Sequence, residues 1–372
     1  MQTHLKNIEM ESKTRIIYIK PANSSFIRGD QHILEKQYEV KAFLMDQNKN
    51  KLIYGWKLIC LFFYLTSNLF RKEVLFVSWF ADYHSALMAL VAKMTHKKSI
   101  ILIGGQEAVC YPELKKGVYR KKLRGLCVKY SLRKTTLIIA NHKSLIYHEN
   151  RYYNDLNPHI DGIQHYVQPL KTKIEILYNG IDTSLFNRDE SISKQNDLVL
   201  TVGTMSQVGD FYNKGFDLFI QVAERNKNLN FVLIGLNPKF IDWTEENYHV
   251  SHITNLVIIP SFCPQEVLNK KYNQAKVFVQ ASITEGMPNT LSEAMLLECI
   301  PVGSNVNGIP DAIGDTGIIV QHRNFEELEK AISEAMNLNT GKASRQRVLN
   351  LFSIKLREEK LLKIVSELIG NV

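Results

Sequence analysis

The chain has 372 residues, 45% of them hydrophobic and 22% charged, with 46 Lys and Arg against 37 Asp and Glu. This composition excludes wholesale disorder and collagen-like repeats, and the length is typical of about two globular domains. The five cysteines include no CxxC pair, which argues against a disulfide scaffold or a zinc ribbon and favours a reducing compartment.

Short apolar runs alternate with helical patterns in the first half of the chain. The runs are rich in β-branched and aromatic residues, which predicts strands of a parallel sheet that is covered on both faces. They occupy residues 15–20, 40–45, 74–80, 99–105 and 136–142. Between them, the apolar spacing predicts a helix over Tyr83–Thr95. The apolar stretch Leu52–Phe70 is interrupted by Lys57, so we expect a buried or interfacial helix there rather than a membrane span.

Residues 115–134 carry nine basic side chains and no acidic one. Apolar residues recur there at helical spacing, which predicts an amphipathic helix with an apolar stripe in the core and a basic outer face. We expect that face to attract an anionic membrane or a phosphorylated acceptor electrostatically; a merely solvated helix and a nucleic-acid surface are the alternatives. The residues assigned to this surface are Lys115, Lys116, Arg120, Lys121, Lys122 and Arg124, together with His84, which is predicted on the cleft side but is equally consistent with a plain surface position.

The charge is divided unevenly along the chain. Residues 1–180 carry 28 basic and 14 acidic side chains, whereas residues 181–372 carry 18 and 23. The polar segment 187–197 is the predicted linker, and a second series of apolar runs follows it. These runs lie at residues 198–203, 230–235, 256–261, 276–282, 300–305 and 317–321. Two such series predict an α/β protein with two doubly wound, Rossmann-like domains that face each other across a ligand-binding cleft.

The segment 281–311 contains a strand end, a loop with glycine and proline, and a helix start. The helix is predicted to begin near Thr290, with Thr290 or Asn289 as its cap. The free N–H groups and the positive dipole end of such a helix form an anion site. Glu285 precedes this helix and Glu293 lies on it, with seven residues between the two carboxylates.

This arrangement, Glu-Gly-x-Pro-Asn-x-x-x-Glu-Ala-Met, resembles the donor-site motif of retaining GT-B glycosyltransferases of family 4, also called group 1. Lys214-Gly215 and the turn at Asn179-Gly180 are similar to two further segments of that family. The resemblance implies an acceptor-binding domain over residues 1–188, completed by a closing helix at 353–372 that crosses back to it. It implies a nucleotide-sugar-binding domain over residues 189–352.

The resemblance also implies roles for individual residues. Glu285 would contact the donor sugar, Glu293 the ribose of the nucleotide, and Lys214 the diphosphate. A cation at that position suits the chemistry, because the leaving diphosphate gains negative charge in the transition state. The other donor contacts implied by the family are Gly203, Thr204, Gly286, Met287, Asn289, Thr290 and Leu291.

Two departures from the family pattern change these expectations. Many members have Gly-Arg where this chain has Gly203-Thr204, so a second diphosphate cation has to come from elsewhere. Many also have a histidine after the fourth strand, where this chain has Gly-Gly-Gln-Glu-Ala-Val at 104–109. Gln106 or Glu107 is therefore expected to face the donor sugar, and Glu107 is a catalytic candidate.

The function expected from the resemblance is that of a retaining hexosyltransferase. It would move a sugar from a UDP- or GDP-sugar to an acceptor hydroxyl in the synthesis of a cell-surface polysaccharide, lipopolysaccharide or glycolipid. We expect no cofactor, no metal and no nucleic-acid partner. We expect a cytoplasmic protein that associates peripherally with the inner face of the membrane. The alternatives are a sugar-nucleotide epimerase of the same fold and a non-catalytic GT-B subunit; the arginine missing at Thr204 favours the second.

Overall fold

The computed structural model describes residues 14–46, 50–68, 71, 73–260 and 263–370. A first sheet of six parallel strands has the spatial order β2-β1-β3-β4-β5-β8. Its strands are β1 (Arg15–Lys20), β2 (Glu39–Leu44), β3 (Val74–Trp79), β4 (Lys98–Ile103), β5 (Leu137–Ala140) and β8 (Lys173–Ile176). The helices of this region are α1 (Ser25–Glu35), α2 (Lys51–Ser67), α3 (Tyr83–Met94) and α4 (Lys122–Lys134), with a short α5 (Ile163–Tyr166). A small antiparallel hairpin pairs β6 (His148–Asn150) with β7 (His159–Asp161).

A second sheet of six parallel strands has the order β11-β10-β9-β12-β13-β14. Its strands are β9 (Gln195–Val202), β10 (Asn230–Leu236), β11 (Leu256–Pro260), β12 (Ala275–Gln280), β13 (Ile300–Ser304) and β14 (Ile318–Val320). The helices are α6 (Val208–Asn213), α7 (Phe216–Arg225), α8 (Ile241–Tyr248), α9 (Gln265–Gln274), α10 (Asn289–Leu296), α11 (Ile309–Ile313), α12 (Phe325–Met336), α13 (Gly341–Leu351) and α14 (Ile354–Gly370). The predicted fold class, two doubly wound domains, is confirmed.

The first sheet is covered on both faces, as its continuous apolar runs predicted. In β1, Ile17 and Ile19 belong to the buried cluster that contains residues of α2, α3 and α4. Ile16 and Tyr18 point the other way, into the cluster formed with α1 and α14. Because successive side chains of a strand point to opposite faces, a strand that is buried on both sides has no polar alternation.

Helix α14 closes the chain by packing on the first sheet. The chain crosses back where Ile181 and Ser353 form an isolated bridge. Arg357 of α14 then donates two hydrogen bonds to the Asp30 carboxylate, at 2.5 and 2.7 Å, and both side chains are almost fully buried. Removing either partner would leave an uncompensated buried charge, so this ion pair ties α14 to α1.

The basic segment 115–134 differs from the single helix that its spacing predicted. A turn leads to a short 3-10 helix at Val118–Arg120, and α4 begins only at Lys122. The physical reason is Gly117, whose φ of 90° interrupts the helix and whose Cβ, if present, would lie 2.0 Å from the Val109 carbonyl oxygen. Part of the predicted core stripe is on the surface instead, because Leu123 is 66% exposed.

Helix α2 occupies most of the apolar stretch that was predicted to be buried or interfacial. Leu61 and Leu65 are its buried residues, whereas several large apolar side chains on the helix face solvent. The last two residues of the stretch, Leu69 and Phe70, lie outside the described residues. Within the part of the chain that the structure describes, no helix is both long and apolar enough to cross a membrane.

Candidate active site

The carboxyl ends of the two sheets face each other across a cavity of about 400 Å³. Both domains line it, which places it at the position where doubly wound sheets bind ligands. From the first domain come Phe26, Trp79, Phe80, Gly104, Asn141 and Asn179, and from the second Gly203, Thr204, Lys214, Glu285, Met287, Asn289 and Thr290, among others. The sequence analysis had not marked Phe26, Trp79 or Phe80 as site residues. Trp79 and Phe80 lie at the carboxyl end of β3, and Phe26 lies in the first turn of α1.

Lys214 and Glu285 meet at the centre of this cavity. The Lys214 Nζ lies 2.6 Å from a Glu285 carboxylate oxygen, and both side chains are largely buried. Gly215 makes this position possible: its φ is 70°, and a Cβ there would lie 2.4 Å from the Ala281 carbonyl oxygen. Only glycine tolerates that close turn, which brings Lys214 over the end of β12. Within the described lining of the main cavity, Lys214 is the one cationic side chain.

The start of α10 faces the same cavity through Met287, Pro288, Asn289 and Thr290. The predicted cap is wrong, because neither Asn289 nor Thr290 caps the helix. The Asn289 side-chain oxygen instead accepts a hydrogen bond from the Asn179 amide at 3.1 Å, and the Thr290 hydroxyl donates to Gln280 at 3.1 Å. With no side-chain cap on α10 among the described residues, its first N–H groups are available to an anion in the cavity.

Glu293 lies one turn further along α10 and lines a smaller cavity of about 110 Å³. Phe26 and Asn289 line both cavities, so the two spaces are contiguous. The Glu293 carboxylate accepts a hydrogen bond from the Tyr272 hydroxyl at 3.1 Å, and burial raises its pKa to about 7. Leu291 is fully buried and lines neither cavity.

Residues 196–337 match a family model described as glycosyl transferases group 1. The solved structure of sucrose-phosphate synthase from Thermosynechococcus elongatus superposes with a TM-score of 0.73 at 14% identity, covering 97% of this chain and 100% of that one. Residues 196–337, which make up most of the second domain, thus match the group 1 glycosyltransferases, and the chain has the GT-B fold. HepE of Anabaena, solved in complex with UDP and glucose, superposes with a TM-score of 0.67 at 12% identity over 95% of this chain and 100% of that one.

Two curated proteins match shorter regions of the chain. The GPI3 subunit of phosphatidylinositol N-acetylglucosaminyltransferase from Saccharomyces cerevisiae is 24% identical over 156 residues, 41% of the chain and 33% of that protein. The capsular polysaccharide biosynthesis glycosyltransferase CapM of Staphylococcus aureus is 37% identical over 97 residues, 24% of the chain and 26% of that protein. The matched region thus spans 33% or less of the length of these two relatives.

Glu107 does not line the cavity between the two sheets, so the prediction that it would contact the donor sugar is wrong. Its side chain is fully buried and accepts hydrogen bonds from the backbone N–H groups of Ala81 at 2.9 Å and Gly105 at 3.2 Å. Burial raises its pKa. The carboxylate therefore joins the loops that follow β3 and β4. Gln106, the alternative, lines a small side cavity and accepts a hydrogen bond from the Gly117 N–H at 2.9 Å.

His84 is also misplaced by the sequence prediction. Only 1% of it is exposed, so it lies neither on the surface nor in the cleft. Its Nε2 is 3.3 Å from the Trp79 carbonyl oxygen, and burial lowers its pKa, which favours the neutral ring. A buried neutral histidine on the inner face of α3 has a packing role.

The predicted basic surface is divided by the fold. Lys115, Arg120, Lys121 and Lys122 are exposed. Two members are not on that surface. Arg124 forms a two-bond ion pair with the Asp82 carboxylate at 2.5 and 3.0 Å, and Lys116 points into the cleft, where its Nζ is 3.4 Å from Asp210.

Several contacts between the domains close the cleft. The Asp311 carboxylate lies 3.0 Å from His142 and 2.8 Å from Lys143. The Asn150 amide donates to the Ile283 carbonyl at 2.7 Å.

Proposed function

We propose that this protein is a glycosyltransferase that transfers a hexose from a UDP- or GDP-sugar to an acceptor hydroxyl with retention of the anomeric configuration. The observation that carries the proposal is the cavity between the two sheets, which is lined by Lys214, Glu285 and the start of α10. These are the groups that a nucleotide diphosphate sugar needs: a cation and amide donors for its phosphates, and a carboxylate for its hydroxyls.

The proposed reaction breaks the bond between the anomeric carbon and the diphosphate oxygen and forms a bond to the acceptor oxygen. Lys214 and the N–H groups of α10 stabilise the diphosphate as it gains charge. Glu285 orients the sugar while its ring acquires positive charge. The acceptor attacks from the side of the leaving group, and its proton passes to a phosphate oxygen of the departing nucleotide.

We propose that Glu293 accepts hydrogen bonds from the nucleotide ribose. Its carboxylate lies in the smaller cavity that is contiguous with the donor cavity, and the Tyr272 hydroxyl holds it there. We also propose that no metal is required, because Lys214 and the helix dipole supply positive charge at the diphosphate. Full transferase activity in excess EDTA is the expected result.

The first experiment is a thermal-shift panel with UDP, GDP, ADP and dTDP and their sugars. UDP leads the panel because HepE, a structural neighbour, was solved with UDP and glucose. A nucleotide at about 100 times its dissociation constant stabilises the folded protein by about 2.7 kcal/mol. A clear shift with one base is expected, followed by release of that nucleoside diphosphate when an acceptor is added.

Other results of the thermal-shift panel and of the turnover assay that follows it would support the two alternatives. Conversion of the donor into its sugar epimer without acceptor-dependent transfer would indicate an epimerase. A thermal shift without any turnover would indicate a non-catalytic subunit, and no shift with any nucleotide would contradict the donor assignment itself.

We further propose that the acceptor is lipid-linked and that the first domain docks on the inner, anionic face of the membrane. An apolar patch carries this proposal: Leu52, Trp56 and Phe63 of α2, Met94 of α3, and Leu123 and Leu126 of α4 are all more than half exposed. Beside it, Lys121 and Lys122 directly precede Leu123 in the chain and are exposed as well. Apolar side chains flanked by lysines suit the headgroup region of an anionic bilayer.

The helices α2, α3 and α4 also enclose an apolar groove of about 690 Å³ in this patch. It is lined by Phe62, Leu90 and Leu126, among others. We expected the basic face to act by charge alone with its apolar stripe in the core. The exposed patch adds a way for side chains to enter the bilayer.

Vesicle sedimentation tests this docking. Binding to vesicles with anionic lipid should exceed binding to neutral ones, and Phe63→Ser together with Trp56→Ser should weaken both. Leu156→Ser is the matched control, because Leu156 is 98% exposed in the same domain but lies outside the patch. Equal binding to both vesicle types, or equal loss in the control, would contradict the proposal.

A further inference from the structure

Lys116 is a cation of the first domain that reaches the second. Its Nζ lies 3.4 Å from the Asp210 carboxylate of α6, and only 12% of either side chain is exposed. The other Asp210 oxygen accepts hydrogen bonds from Ser206 N–H and Oγ at 2.9 and 2.7 Å. The membrane and acceptor surface proposed above does not use Lys116.

The loop around Lys116 is held firmly in place. The backbones of Lys116 and Tyr111 pair through two hydrogen bonds of 3.0 and 3.1 Å. The loop also touches the second domain, because a Cβ at Gly209 would lie 2.0 Å from the Leu114 carbonyl oxygen. A cation fixed in this way loses little conformational freedom when it binds a ligand.

Lys116 shares a small cavity of about 160 Å³ with Lys214, Glu285 and Gly286. This space continues into the donor cavity, because Lys214, Glu285, Phe80 and Gly104 line both. Burial and the nearby charge of Lys214 lower the pKa of Lys116. Two lysines from opposite domains therefore converge where Glu285 meets the glycine of the donor motif. Their mutual repulsion is relieved if an anion binds between them.

We propose that Lys116 is the second cation of the diphosphate site, supplied by the first domain in place of the arginine missing at Thr204. This inference rests on the proposed function, since it assigns a phosphate partner within the same donor site. Lys116 lines the small cavity together with Glu285, which is proposed to orient the sugar, so we assign Lys116 to the phosphate that carries the sugar rather than to the one next to the nucleoside. The diphosphate site is then complete only when the domains are closed.

The test compares UDP with UMP by calorimetry, or the matching pair of whichever base the panel selects. Lys116→Met keeps the aliphatic stem and removes the charge. It should lower the affinity for the diphosphate by roughly tenfold to a hundredfold and leave the monophosphate affinity unchanged, because a hydrogen bond to a charged group contributes about 1.5–3 kcal/mol. Lys41→Met is the control, since Lys41 is an exposed lysine of the same domain that lines neither cavity; both affinities should stay unchanged.

A double variant separates the effect of losing the Lys116 charge from the effect of leaving Asp210 unpaired. Lys116→Met leaves the Asp210 carboxylate without this partner. Repulsion between that carboxylate and a bound anion would by itself weaken anion binding. In the double variant Lys116→Met with Asp210→Asn, the loss of diphosphate affinity should persist. Recovery of the wild-type affinity would overturn the proposal.

Three other results would also overturn the proposal. They are an unchanged diphosphate affinity in Lys116→Met, an equal loss for both nucleotides, and a loss seen only with a phosphate-bearing acceptor. The last would assign Lys116 to an acceptor phosphate. These outcomes differ from failure of the proposed function, in which the wild-type protein itself binds no nucleotide.

Discussion

The two walls of the cleft are built in different ways. The second domain supplies its groups from one continuous segment, the loop and helix start at 284–293, together with Lys214, which directly follows α6 and pairs with Glu285. The first domain supplies isolated groups from separate segments, such as Phe26 of α1, Phe80 after β3 and Lys116 of the loop before α4. The side of the cleft that is built from one local motif can be predicted from the sequence. The side that is assembled from distant segments cannot. The predictions below test this contrast.

The largest effect on activity is expected on the second-domain side of the cleft. Lys214→Met should lower kcat/KM by roughly a hundredfold or more, because it removes the charge that stabilises the leaving diphosphate. Steady-state transfer assays measure this. Lys239→Met is the control, an exposed lysine of the same domain that lines no part of the cleft. Near-normal turnover in Lys214→Met would show that Lys214 does not stabilise the charge of the leaving diphosphate.

A smaller, pH-dependent effect is expected at Glu293. Its pKa is raised to about 7 by burial, and ribose hydroxyls donate best to the ionised carboxylate. Nucleotide affinity of the wild type should therefore rise as the pH increases through about 7. Glu293→Gln should bind nucleotide more weakly, by roughly tenfold at high pH, because it offers one acceptor oxygen instead of two.

The same variant should affect stability in the opposite sense. The folded state holds a proton on Glu293 that the unfolded state releases at lower pH, so the ligand-free wild type loses stability as the pH rises from about 5 to about 8. Glu293→Gln lacks this loss and should melt higher than the wild type at the alkaline end. Thermal unfolding without nucleotide across this range measures it, and parallel melting curves for both proteins would contradict the raised pKa.

The smallest effect on activity is expected at Glu107, on the other wall. Glu107→Gln should lower the free energy of unfolding by about 1–3 kcal/mol, because an amide cannot accept both backbone hydrogen bonds as the carboxylate does. The pH dependence of kcat should not change, since the side chain does not reach the cavity. A large loss of kcat at unchanged stability would indicate that Glu107 takes part in catalysis after all.

Local patterns determined much of this protein from sequence alone. Every predicted apolar run overlaps a strand of one of the two sheets, because parallel strands that are covered on both faces form nearly continuous apolar runs. The short hairpin and β8 were missed, and β8 is a four-residue edge strand without full burial. The donor motif was also visible, because Glu285, the loop and Glu293 are close in sequence and the turn itself sets their geometry.

Tertiary structure alone decided the other half of the site. Glu107, His84 and Lys116 each lie within a strand-end or basic pattern that suggested exposure, yet the first two are buried and the third crosses to Asp210. Their environments depend on how the loops after β3 and β4 pack and on how the domains close. The spacing of residues in the sequence predicts single helices and strands. The burial of a side chain and the pairing of two charges depend on which distant elements pack together.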